Sequence, residues 1–124
     1  MKEIKFLNQS TQSEVDLDFV FKSYELEILD PVAKKVEIGS VIGTAVSKFS
    51  KIFFQISPDM VIILGDRYEI FAAAIAAYVN QIPISHLNGG EVTHGAYDEA
   101  FRHSITKLSY WHFVAAESYR QRVI

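Results

Sequence analysis

Ser57-Pro58-Asp59-Met60-Val61-Ile62-Ile63-Leu64-Gly65-Asp66-Arg67 is the stretch on which the fold turns. Five apolar residues in a row, most of them branched, show no alternation. Such a run is predicted to be a strand buried on both faces of a parallel sheet. Ser57-Pro58-Asp59 stops whatever precedes it, because proline has no N–H to continue a helical ladder. Gly65 closes the run and hands the chain to a polar pair.

Upstream, from Val36 to about Ile56, apolar residues fall at Ile38, Val41, Ile42, Ala45, Phe49, Ile52 and Phe53. This is the stripe of an amphipathic helix. Downstream, Glu69 to Val79 reads as an alanine-rich helix suited to close packing, and Gln81-Ile82-Pro83 as a turn. Ile84 to Leu87 is then a strand, Ala96 to Ser109 a helix, Trp111 to Val114 a third strand, and Ala116 to Val123 the start of another helix. Residues 1–35 form a poorly defined lead-in, in which Val15 to Phe21 alternates weakly, as a short strand or an irregular segment would. Strand and helix in strict alternation predict an α/β fold with a doubly wound parallel sheet.

Composition narrows the function. The 124 residues include 12 basic side chains scattered along a chain of net charge −3, which argues against a nucleic-acid partner. There is no cysteine, so disulfides, thiol catalysis and cysteine–zinc sites are excluded. No apolar run approaches 18 residues and the N-terminus lacks the pattern of a signal peptide, so no membrane partner and a cytoplasmic location are expected.

Ligands of open α/β sheets bind beyond the carboxyl ends of the strands. Three polar clusters fall there. In Gly65-Asp66-Arg67, Asp66 either caps the next helix or faces a ligand, and both can hold. The loop from His86 to Gly95 carries two histidines, one carboxylate and three glycines, enough for acid, base and hydrogen-bond roles. In Tyr97 to His103, Asp98 and Glu99 fall in a first helical turn, and Asp98 and Arg102 are spaced as an i, i+4 pair, so a purely structural role is favoured on spacing. His86, His94 and His103 match no tight metal motif, and neither a Walker loop nor G-x-G-x-x-G is present; no metal and no cofactor are expected.

Taken together, Gly65-Asp66-Arg67-x-Glu69, Ile82-Pro83-x-x-His86, Gly89-Gly90-Glu91-Val92-Thr93, Asp98, Arg102-His103-x-Ile105-Thr106-Lys107 and His112-Phe113 resemble the hydrolysing UDP-N-acetylglucosamine 2-epimerases of sialic and related nonulosonic acid biosynthesis. The likeness is dense from Pro58 to Ile124 and thin before Val36. It implies a Rossmann-like sheet that is half of a two-domain GT-B-like fold. Residues 36–124 would be part of the N-terminal domain, with the opening strand and the C-terminal domain lying outside this chain. A chain that stops within a helical pattern fits that expectation.

The implied reaction turns UDP-N-acetylglucosamine and water into N-acetylmannosamine and UDP, through loss of UDP to a 2-acetamidoglucal. The resemblance assigns Asp66, Glu91 and Asp98 to catalysis, with Glu99 an adjacent alternative to Asp98. It assigns Arg67, His86, Gly90, Arg102 and His103 to substrate binding. The partner implied is a UDP-sugar, and the complete enzyme is implied to be a homodimer. Several relatives carry a carboxylate where this chain has Asn88; an amide is no general base, so Glu91 would have to substitute or activity would be weakened. The competing expectations are a non-catalytic remnant that binds itself or a partner, and a different α/β enzyme such as a metal-dependent hydrolase.

Overall fold

The computed structural model describes residues 26, 37–92 and 98–123. Its elements are α1 (Ile38–Ile56), β1 (Val61–Leu64), α2 (Tyr68–Val79), β2 (Ile84–Leu87), α3 (Asp98–Leu108), β3 (Trp111–Phe113) and α4 (Glu117–Val123). Every element predicted from Val36 onward is present within a few residues of its predicted bounds. The weak strand at Val15 to Phe21, the first residues of the third helix at Ala96 and Tyr97, and His94 lie outside the described residues.

The three strands are parallel, in the order β1-β2-β3. Val61 pairs with Ile84 and Ile63 with His86, and His86 in turn pairs with His112. These five side chains therefore share one face. The other face carries Ile62, Leu64, Ser85, Leu87, Trp111 and Phe113.

The core sits on the first face. It joins Val61, Ile63 and Ile84 to Ala45, Phe49 and Phe53 of α1, to five alanines of α2 and to Ile105 of α3. Helix α2 lies between α1 and α3 and also meets β1 and β2. Its composition explains how. Ala72, Ala73, Ala74, Ala76 and Ala77 are all fully buried, and a methyl group is the largest side chain that lets a helix be approached closely from several sides at once. Alanine also stabilises the helix itself, by about 0.5 kcal/mol or more over a β-branched residue.

Helix α1 stops as the sequence predicts. Ser57 adopts the left-handed conformation, its N–H donates to the Phe53 carbonyl at 2.8 Å, and Pro58 follows. The spacing predicts Met60 to Leu64 to be buried on both faces; among the described residues Val61 and Ile63 are buried while Ile62 and Leu64 are 60% and 58% exposed, so the second face is not covered by the elements described. No helix of the described residues is long and apolar enough to cross a membrane.

Candidate active site at the carboxyl ends of the strands

Gly65 leaves β1 with φ +87°, in the region where side chains are strained, and space is open where a Cβ would stand. The chain turns there, and Asp66 follows. Asp66 does not cap α2: Arg67 occupies the N-cap position and no side-chain cap bond is made. The Asp66 carboxylate instead pairs with the Arg102 guanidinium, 36 residues further along the chain.

Arg102 is the centre of the site. It is buried, and its Nη1 donates to the Glu99 carboxylate and to the Glu91 carbonyl oxygen, both at 2.6 Å. A buried guanidinium must be paired on most of its donors, and losing one partner of such a pair costs about 3–5 kcal/mol. One arginine thus ties together the turn after β1, the loop after β2 and the first turn of α3. Glu99 also receives His103 at 3.3 Å and Arg122 of α4 at 3.4 Å.

Several predicted site residues occupy positions that spacing did not reveal. Asp98 was expected to pair with Arg102; among the described residues Asp98 enters no ion pair, and Glu99 takes that place one residue later, as an i, i+3 partner. The 102 side chain leans back over the turn that carries both 98 and 99, and the carboxylate it meets there is Glu99. Glu91 contributes its backbone carbonyl to Arg102. Arg67 is exposed and pairs with Glu69 at 3.3 Å. His103 lines a shallow apolar depression between α2 and α3, with Phe71 and Leu108, and reaches back from it to Glu99.

His86 and Gly90 are buried rather than open to a ligand. His86 is fully covered, with Nε2 2.8 Å from the Gly65 carbonyl oxygen, and burial pushes its imidazole below the ordinary histidine range. Gly90, at φ +77°, lies so close to α4 that an added methyl would stand 2.5 Å from the Tyr119 carbonyl oxygen. Glycine is thus required here by the approach of a helix. Asn88 has φ +62°, a conformation asparagine tolerates better than most residues, and its N–H donates to the Phe113 carbonyl at 2.8 Å. No sequence signal marked the roles of Asn88 or Tyr119; the Gly-Gly pair was the only hint of tight backbone approach.

The guanidinium–carboxylate cluster lies at the carboxyl ends of the parallel strands, the side on which open α/β sheets bind ligands. The model of the UDP-N-acetylglucosamine 2-epimerase family matches residues 5–124. This chain belongs to that family. It is 40% identical over 114 residues to the GDP/UDP-N,N'-diacetylbacillosamine 2-epimerase (hydrolyzing) of Campylobacter jejuni, covering 92% of this chain and 29% of that protein. It is 47% identical over 83 residues to the polysialic acid biosynthesis protein P7 of Escherichia coli, covering 67% and 21%. In fold it is similar to the UDP-GlcNAc 2-epimerase from Neisseria meningitidis bound to UDP-GlcNAc, with a TM-score of 0.73 at 29% identity over 83% of this chain and 28% of that one. The chain therefore spans less than a third of the length of these relatives. Its architecture is a small α/β part of the epimerase fold.

Proposed function

We propose that this chain is part of a cytoplasmic enzyme that converts UDP-N-acetylglucosamine and water to N-acetylmannosamine and UDP. The observation that carries the reading is the buried Arg102, pairing Asp66 and Glu99 at the strand ends, in a chain of this family. In the reaction a base takes the proton from C2 of the sugar while the C1–O bond to UDP breaks, leaving a C1=C2 double bond. Water then adds its hydroxyl to C1, and a proton returns to C2 from the opposite side.

That sequence needs two proton-transfer groups near the ring. We assign them to Asp66, which pairs with Arg102, and to Glu91, whose backbone carbonyl Arg102 holds. Asp98 or its neighbour Glu99 completes the set. Arg67, exposed at the start of α2, is suited to the diphosphate together with the helix N-terminus. Arg102 and His103 serve the substrate through the carboxylates they hold. His86 and Gly90 act on the shape of the site. The full-length enzyme works as a homodimer.

Names of the relatives offer a second donor, the UDP-linked N,N'-diacetylbacillosamine, so both sugars belong in the test. The 124-residue chain is titrated with each donor while proton–nitrogen spectra and product formation are followed by NMR. The expected result is a shift of the Gly65–Arg67 and Glu91 resonances by UDP-N-acetylglucosamine, lost in Asp66→Asn. A response to the diacetylated donor alone changes the substrate. Silence at these residues with both donors overturns the reading.

A second reading, a non-catalytic module that associates with itself, is favoured by the exposure of Ile62, Leu64, Trp111 and Phe113 on one sheet face. It predicts a concentration-dependent dimer in sedimentation that Ile62→Asp disrupts, with no response to either donor.

A further inference from the structure

Among the residues that share the covered face of the sheet, His86 lies deepest. It stands between Ile63 of β1 and His112 of β3, and it is one of the few fully buried large side chains among the described residues. Its Nε2 lies 2.8 Å from the Gly65 carbonyl oxygen. A carbonyl can only accept, so Nε2 carries the proton and Nδ1 the lone pair. No donor among the described residues reaches that Nδ1. A buried acceptor left unpaired costs about 1–3 kcal/mol. Leucine or methionine would fill the volume without that cost, so packing alone does not account for an imidazole at this position.

What Nε2 holds is the peptide that leads into the site. Gly65 donates its N–H to the Leu87 carbonyl at 3.2 Å and presents its carbonyl to His86, so both of its backbone polar groups are fixed to β2. Gly65 has no side chain to restrain it and occupies φ +87°, which leaves these two bonds to set the direction of the next residue, Asp66. The same ring is wedged beneath the second loop. A methyl on Gly89 would stand 3.0 Å from His86 Nδ1 and 3.5 Å from Thr106 Oγ1.

We propose that His86 is a positioning residue: its Nε2–H fixes the Gly65 carbonyl, and thereby the angle at which Asp66 leaves β1 to meet Arg102. The inference rests on reading Asp66 and Arg102 as the ligand-facing part of the site. The charged and titratable groups that face the ring are His112 of β3, Asp66 of the turn after β1 and Arg102 of α3. Burial, the largest influence, keeps the ring neutral, and His112 and Arg102 act in the same direction; the Gly65 carbonyl and Asp66 oppose them.

The test uses the chain without any sugar nucleotide, so its outcome is independent of turnover or donor binding. Nitrogen-15 shifts of the His86 ring report the tautomer, and the Arg102 Nη protons report the ion pair. The wild type is expected to show the Nε2–H tautomer and resolved Arg102 Nη signals. His86→Phe fills the space with no donor and is expected to lose those signals while the Phe53 and Ile105 resonances stay in place. His86→Gln, which can return an N–H near the Nε2 position, is expected to recover them. A protonated Nδ1 in the wild type overturns the proposal. So do Arg102 signals unchanged in His86→Phe, or a His86→Gln variant that folds without recovering them. Should His86→Phe fail to fold, the wild-type tautomer and the His86→Gln spectrum still decide.

Discussion

The two faces of the three-stranded sheet are built from similar residues and meet opposite surroundings. Val61, Ile63 and Ile84 lie under α2 and α3 and are buried; among the described residues Ile62, Leu64, Trp111 and Phe113 stand on the other side of the same strands and are open. Isoleucine appears on both. Ile84 is 1% exposed and Ile62 is 60% exposed, on adjacent strands one register step apart. Hydrophobicity therefore does not tell which face forms the core. What differs is the cover, five consecutive-turn alanines of α2 that let a helix settle close to one side.

The largest way to break this contrast is Ile84→Ala. It opens a cavity under α2 and is expected to cost about 2–5 kcal/mol, read as a lowered midpoint in urea unfolding. Gly90→Ala comes next. The new methyl meets the Tyr119 carbonyl in a left-handed backbone, and a loss of about 1–3 kcal/mol is expected, with the resonances of α4 shifting most.

Acid should act on the covered face selectively. His86 and His112 are both pushed below the usual histidine value by burial. Their unfolded pKa is about 6.5. A folded value below that means the unfolded chain takes up protons first as the pH drops. The stability is thus intact above about pH 6.5 and is eroded as the pH falls through the lowered values. Urea midpoints measured from pH 7.5 to 5 are expected to fall, and less steeply in His86→Gln. The smallest effect belongs to the open face. Ile62→Thr keeps the β-branched shape and is expected to change stability by no more than about 0.5 kcal/mol. A cost as large as that of Ile84→Ala would mean that the two faces are not different in the way described.

Much of this fold was legible because it is local. The stripe from Ile38 to Phe53 repeats with the helical period, Pro58 forbids its continuation, and the branched run at Val61 to Leu64 suits a parallel strand. The place of the candidate site was legible for the same reason, since polar residues directly after strands fall on the side where α/β sheets bind ligands. Its internal pairing was not. Asp98 and Glu99 are neighbours in sequence with the same charge, and only the phase of α3 against β1 selects Glu99 for Arg102. The resemblance assigns His86 to substrate binding; the alternation of β2 turns its side chain inward.

By itself, then, the sequence determined the order of elements, the parallel α/β class, the family and the strand ends at which polar chemistry gathers. These follow from periodicity, from the stereochemistry of proline and glycine, and from motifs that each span a few residues. Only the tertiary structure decided which sheet face is covered, which carboxylates meet Arg102, and that His86 serves the backbone of Gly65. These are contacts between groups as much as 36 residues apart, as for Asp66 and Arg102. Such contacts depend on how helices are placed over the sheet, and no local pattern of residues carries that information.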